Sequence, residues 1–505
     1  MMEHARIKHF MLATGLLFSA AFAYASDLSL HPQGKNFHLV AFSPAPATPG
    51  NAPLDGLNDV SIQEFDVWER IRLGYSIPDL EGNPRVAAQR KWYASRPDYI
   101  QRTTERASRY LFYIVQELEA RGMPTELALL PFIESAFNPH ARSHAKAVGM
   151  WQFMPGTGKK FNLNQSSLKD ERRNVLASTE AALNYLQKLY NMFGDWQIAL
   201  AAYNCGEGSV QKAIRRTRAA RKPITFNNLA RRMPRETRDY VPKLQAVKDI
   251  VFNPAKYGIT LPKVENQPFF VTINKTHDMD VQVAARLAEL PIDDFRALNP
   301  QFGYHVITGG SKTILLLPKQ NADTFKTNLE KWNGAKKPLS SWTAYTVTKP
   351  REKVEEVAAQ FNTTPENLRE INHIPTKMLL KQGSTLLVPK SEKTPQQAQD
   401  QDIAPELAEK ATIATIYDGP PSKRIKVKVR KRDTLISIAR RYRGVTPEQI
   451  KSWNRLESNK LVVGSRLEIY VPYRIAKHKK QQAKNRKKTT PLKKTAAKAT
   501  QKESG

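Results

Sequence analysis

Between Pro97 and Tyr257 apolar residues recur three and four positions apart: Tyr110, Ile114 and Leu118; Leu127, Leu130 and Ile133; Leu183, Leu186 and Leu189; Ile198, Ala201 and Ala202; Leu244, Val247 and Val251. That spacing places side chains on one face of an α-helix, and its persistence predicts an all-α domain over 97–257. Phe112, Trp196 and Phe252 fit the same spacing and read as core. Ile62 to Leu73 predicts one more short amphipathic helix, inside a segment 26–96 that otherwise reads as linker, with Phe42 to Leu54 rich in Pro, Ala and Gly.

Past Leu261 the pattern changes to short strand, two short helices, short strand, and the change repeats. Val357-Ala-Ala-Gln-Phe361 aligns with Ile438-Ala-Arg-Arg-Tyr442, Leu368 to Asn372 with Ile450 to Asn454, and Gly383-Ser-Thr-Leu386 with Gly464-Ser-Arg-Leu467. An offset held over three anchors is internal repetition. A fainter copy runs through Val283 to Leu287, Leu298-Asn299, Gly310-Ser311 and Ile314 to Pro318. The expected modules are 262–320, 342–390 and 425–472, with a charged, Gln-rich flexible linker over 391–424. They resemble LysM modules, βααβ domains that bind N-acetylglucosamine-containing glycans. The resemblance is best in the last copy, where Val427-x-Val429 precedes Arg432-Asp433-Thr434-Leu435 and Arg432 stands at the family's glycine. It implies glycan contact through Asp433, Thr434, Leu435 and Asn454. The middle copy has Pro350-Arg351-Glu352 at that turn, and spacing or rigidifying is the alternative role for the earlier copies.

A chain of 505 residues is too long for one core, consistent with several modules. Residues 1–25 read as a signal peptide: Arg6 and Lys8, an apolar run from Phe10 to Ala23, and Ala23-Tyr24-Ala25 before Ser26. The run is shorter than the roughly 20 residues that span a bilayer. Cys205 is the only cysteine, so an exported protein without lipid anchor or internal disulfide is expected. The formal charge is +32, and much of it lies between Arg474 and Lys502, predicting a disordered basic tail over 473–505. Export removes nucleic acid as a partner and leaves envelope polyanions, or a solvated tail with none.

The densest chemical signal is Leu129-Leu130-Pro131-Phe132-Ile133-Glu134-Ser135-Ala136-Phe137-Asn138-Pro139, one carboxylate at an apolar helix end. Burial there would raise its pKa and suit it to general-acid work; an ion pair with an arginine such as Arg142 is the competing reading. His140 and His144 are four apart, but Pro139 argues against a shared helix face, so no metal is expected, and no cofactor. Cys205 has no histidine beside it and reads as packing.

Glu134-Ser135-x-Phe137-Asn138-Pro139, Ser143, Gly149-Met150-Trp151-Gln152-Phe153-Met154-Pro155, Ala202-Tyr203-Asn204-Cys205-Gly206-x-Gly208 and Glu236-Thr237-Arg238-x-Tyr240-Val241 follow in order. This series resembles the soluble lytic transglycosylase family, over most of the chain from Val67 once the repeats are included. The resemblance implies a multidomain protein: an all-α lysozyme-like catalytic domain, small βααβ modules and the tail, working on peptidoglycan glycan strands in the periplasm. It makes Glu134 the catalytic acid and base, puts Ser143 near the substrate's N-acetyl group, and gives Gln152, Asn204 and Glu236 substrate contacts. It also puts the Tyr203 hydroxyl close to the catalytic carboxylate. Met150 and Trp151 depart from the family's Gly-Leu-Met-Gln motif and leave the adjoining wall undetermined; Tyr240 reads as a second aromatic wall or as core.

Overall fold

The computed structural model describes residues 66–472 apart from 144, 276, 304, 309–312, 391–401, 420–421, 443, 455 and 457. The expected signal peptide, the Pro-rich linker, His144, Gly310-Ser311 and the basic tail lie outside the described residues.

Eleven α-helices among the described residues form the first domain: α1 (Val67–Leu73), α2 (Pro84–Ala94), α3 (Pro97–Ala107), α4 (Leu111–Glu119), α5 (Leu130–Ser135), α6 (Pro155–Lys160), α7 (Val175–Phe193), α8 (Trp196–Cys205), α9 (Glu207–Ala219), α10 (Phe226–Ala230) and α11 (Arg235–Phe252). Local chemistry sets their ends. Asp66, Asn174 and Asp195 accept backbone N–H groups at the starts of α1, α7 and α8, and Gly194 ends α7 at φ 68°. The predicted apolar faces meet in one core, and Leu111, Ile114, Leu183, Leu186 and Leu189 are inaccessible to solvent. That core does not begin at Pro97, because Val67, Trp68, Ile71, Val86 and Tyr93 of α1 and α2 belong to it. Glu126 explains part of this attachment. Fully buried, it accepts the N–H groups of Ser76 and Ile77 and lies 3.4 Å from Lys248 Nζ on α11. Phe252 corrects the core expectation: it ends α11 and is 64% exposed, while Phe112 and Trp196 pack against the core.

Each repeat closes as βααβ. Phe270–Asn274 pairs antiparallel with Ile314–Pro318, Trp342–Thr346 with Thr385–Pro389, and Ser422–Lys428 with Arg466–Pro472, each pair flanking two short helices. The same asparagine fastens each copy. The side-chain carbonyls of Asn299, Asn372 and Asn454 accept the N–H of Leu316, Leu387 and Glu468, and their amides donate back to those residues' carbonyls. Gly383 and Gly464, aligned by sequence, occupy φ 80° and 93°, where a Cβ is strained.

Two further boundaries differ from expectation. The first module continues into a helix, Lys319–Gly334, whose Ala322 and Phe325 enter its core. The expected flexible linker is structured from residue 402 onward. Ile403, Ala408 and Ala411 are buried, and Thr415–Tyr417 adds a strand beside Met378–Leu380. The charged, Gln-rich run just before it hides this in the sequence, and three buried apolar side chains with one added strand suffice to hold the segment. Leu168 of the helical domain packs into the same cluster, and Ser167 N donates to Ala411 O at 2.8 Å. Among the described residues no helix is long and apolar enough to cross a membrane.

Candidate active site

Glu134 sits at the end of α5, and four interactions fix that end. Ala136 and Phe137 turn left-handed (φ 52° and 55°), so the Phe137 N–H returns to Pro131 O at 3.0 Å and its ring is fully buried. Ser135 Oγ donates to Met150 O at 2.8 Å, and Arg106 Nε to Ala136 O at 2.8 Å. Two consecutive left-handed non-glycine residues cost roughly 1–3 kcal/mol each and persist only when their surroundings over-determine them.

The Glu134 carboxyl is partly buried, and its pKa is pushed up to about 7. Loss of hydration is the main cause; the charge of Glu236 adds to it, while the Tyr240 hydrogen bond and Lys243 oppose it. An arginine ion pair would have moved the pKa the other way. Tyr240 is 4% exposed, and its hydroxyl donates to Glu134 Oε1 at 2.5 Å. It is thus neither an open aromatic wall nor plain core. Glu236, exposed, precedes Tyr240 by one turn of α11.

Tyr203 on α8 donates its hydroxyl to Trp151 O at 2.9 Å, and burial followed by the nearby Glu134 charge keeps its phenol protonated. Asn204 Oδ1 accepts Thr237 Oγ1–H at 2.7 Å, joining α8 to α11. Met150 and Trp151 point into the core, and Trp151 Nε1 donates to Thr179 Oγ1 at 3.0 Å. The departures from the family motif therefore alter packing behind the site.

Ser143 and Gln152 share the loop between α5 and α6. Ser143 Oγ accepts the Ala147 N–H at 3.0 Å; Gln152, at φ 52°, donates to Gly149 O at 2.8 Å. The loop is stitched by a residue the sequence did not single out. Arg172, 8% exposed, donates to Lys146 O (3.0 Å) and Phe153 O (3.3 Å) and pairs with Asp170 at 2.9 and 2.7 Å. Gly149, at φ 86°, lies so near the Arg172 carbonyl that a Cβ would stand 2.0 Å from it. The structure thus gathers Glu134, Tyr240, Tyr203 and Glu236 around one carboxyl and holds Ser143 and Gln152 on a loop bonded to the same helix end. Ser135, Arg106 and Arg172 act through backbone carbonyls, for which single-sequence patterns carry no signal.

The four residues marked in the last module have structural employment. Asp433 accepts the Arg430 N–H and pairs with Arg441, both at 2.7 Å. Thr434 forms a capping box with Ser437, Leu435 is 3% exposed, and the Asn454 amide is spent on the module backbone. Arg432 occupies φ 69°, which accounts for the family's glycine there. The Cys205 thiol is partly buried and pushed up by that burial. His140 Nδ1 and Nε2 belong to a ring whose protonation is disfavoured by burial and by Arg173. Among the described residues no three His, Cys, Asp or Glu side chains could together hold a metal.

The family model described as Transglycosylase SLT domain matches residues 113–226, LysM domain matches 345–389 and 427–469, and Lytic transglycosylase MltD, LysM-like domain matches 269–334. Membrane-bound lytic murein transglycosylase D of Escherichia coli (strain K12) is 32% identical over 418 residues, 80% of this chain and 86% of that protein. Soluble lytic murein transglycosylase of the same strain is 38% identical over 87 residues, 15% of this chain and 13% of that one. The crystal structure of the 70 kDa soluble lytic transglycosylase from Escherichia coli is 28% identical, covering 26% of this chain and 22% of that one with a TM-score of 0.22.

Proposed function

Because this chain belongs to the family of membrane-bound lytic murein transglycosylase D, we propose that Glu134 alone serves as acid and then base in forming a 1,6-anhydromuramoyl product. The protein is a peptidoglycan lytic transglycosylase with LysM glycan-binding modules. In the proposed step the Glu134 proton passes to the oxygen linking N-acetylmuramic acid to N-acetylglucosamine, and the C1–O bond breaks. The substrate's acetamido group supports the electron-poor C1. The Glu134 carboxylate then takes the proton of the muramoyl 6-hydroxyl as O6 bonds to C1, so no water is consumed. Attack within one sugar has the high effective concentration that dispenses with a base for water.

The observation that carries this reading is a carboxyl with a pKa of about 7 that keeps one phenol donor. At neutral pH such a group is divided between its acid and base forms, both of which the reaction needs. A hydrolase working with two carboxyl groups would use Glu236 as the second. Ser143, Gln152, Tyr203, Asn204 and Glu236 are proposed to contact the glycan, and Tyr240 to tune Glu134. We further propose export to the periplasm, with the basic tail held by envelope polyanions.

The test is mass analysis of muropeptides from digested sacculi. Anhydro products from the wild type and none from Glu134→Gln are expected. Reducing-end products heavier by one water would replace the proposal with hydrolysis.

A further inference from the structure

A cavity of about 260 Å³ lies where the helical domain meets the first module. Its walls include Arg106 and Arg109 beside the end of α3, Asn138 and His140 from the chain leaving the Glu134 turn, and Asp293 and Arg296 from the module. The walls are held together. Arg109 Nη2 pairs with Asp294 Oδ1 at 2.6 Å, and the buried Tyr110 hydroxyl donates to Ala297 O at 2.8 Å.

The charge of the cavity is unevenly offset. Asp294 is taken by Arg109, and Asp293 is 95% exposed and 3.9 Å from Arg296 Nη1. Arg106 gives Nε to Ala136 O and Nη2 to Thr103 Oγ1, both neutral acceptors, and among the described residues it forms no ion pair. His140 beside it has its pKa lowered by loss of hydration and then by the Arg173 charge, against a hydrogen bond at the Arg296 backbone and the charge of Asp293.

We propose that this cavity binds a carboxylate of the peptidoglycan stem peptide, so that the enzyme reads peptide as well as glycan. The proposal rests on the peptidoglycan reading above and extends it to a second part of the same polymer. A guanidinium fork matches the two oxygens of a carboxylate and has no equivalent partner on a neutral sugar. The volume is below the roughly 300–1,000 Å³ of drug-sized pockets, which suits about one or two residues of a peptide end and not a disaccharide. Reach agrees. Asn138 is four positions beyond Glu134, at most about 14 Å along the chain, and an extended stem of about five residues spans roughly 17 Å. Arg106 joins the two places directly, since the carbonyl it holds is two residues beyond Glu134.

Two measurements on the full chain test this. Wild-type protein is titrated calorimetrically with a D-Ala-D-Ala-terminated stem pentapeptide and with its C-terminal amide. Binding of the acid at least tenfold tighter than the amide is expected; equal affinities, or none for either, overturn the proposal. Separately, KM is compared on glycan strands with stem peptides and on strands freed of them by an amidase. A preference of about tenfold for peptide-bearing strands in the wild type, abolished in Arg296→Gln, is expected. A preference unchanged in the variant, or absent in the wild type, overturns the peptide site alone. Absence of anhydro products from both substrates would overturn the underlying reading instead.

Discussion

Tyr240 and Glu134, 106 residues apart in sequence, meet hydroxyl to carboxylate at 2.5 Å. The phenol stabilises the ionised carboxyl and so draws its pKa down against the larger effect of burial, while Glu236 pushes it up. Activity that needs protonated Glu134 should therefore fall as pH rises through about 7, reaching about one tenth of its plateau at pH 8. In Tyr240→Phe the lost donor should move this limb to higher pH. Glu236→Gln, removing a negative charge, should move it to lower pH. The initial-rate pH profiles of both variants check the pair of signs; shifts in the same direction would refute this assignment of causes.

The same carboxyl should cost stability. Its folded pKa of about 7 lies above the ordinary 4.5, so the folded state binds the proton more tightly. Folding is favoured below pH 4.5 and loses that advantage as pH rises through 7. At about 1.4 kcal/mol per pKa unit the loss is at most about 3.5 kcal/mol. Glu134→Gln should match the wild type near pH 4.5 and exceed it in thermal stability at pH 8, while its activity falls about 100- to 10,000-fold. Unfolding temperatures across that pH window provide the measurement.

What could be read in the sequence divides along a physical line. Glu134 and the helical faces were legible because apolar spacing and a short contiguous motif are local properties. The Asn372 and Asn454 match was legible as repetition, yet the employment of their amides was not, since hydrogen bonds to strands 14 and 15 residues away leave no local trace. Tyr240 shows the same limit: its place on α11 follows from spacing, its partner from tertiary packing. Residues 402–417 are hidden by the charged, Gln-rich run that precedes them: the segment is too short to show a period of its own, and only Ile403, Ala408 and Ala411 in it are buried.

Arg172 should act on substrate binding through the loop that carries Ser143 and Gln152. It bridges the Lys146 and Phe153 carbonyls while paired with Asp170, whose N–H donates to Gln301 O of the first module at 3.0 Å. Arg172→Ala removes the ion-pair partner of a partly buried Asp170 and the donor to two loop carbonyls, at a cost of about 1–3 kcal/mol. Arg172→Lys keeps the charge but loses the fork, and should raise KM several-fold with a smaller change in kcat and in unfolding temperature. Equal losses in kcat and KM for the lysine variant would assign Arg172 to stability alone.

Asn454 separates a glycan contact from a structural clamp. Its amide donates to Ile450 O and Glu468 O, and its carbonyl accepts the Glu468 N–H, at 2.8, 2.8 and 2.7 Å. Alanine removes all three bonds and leaves a partly buried backbone pair without partners, costing about 1–3 kcal/mol. Asn454→Ala should therefore speed hydrogen exchange along Arg466–Pro472 while leaving exchange in Thr385–Pro389, the matching strand of the middle module, unaltered. Weaker chitooligosaccharide binding should appear only together with that local loosening. Lost binding with wild-type exchange protection would instead place Asn454 in direct contact with the sugar.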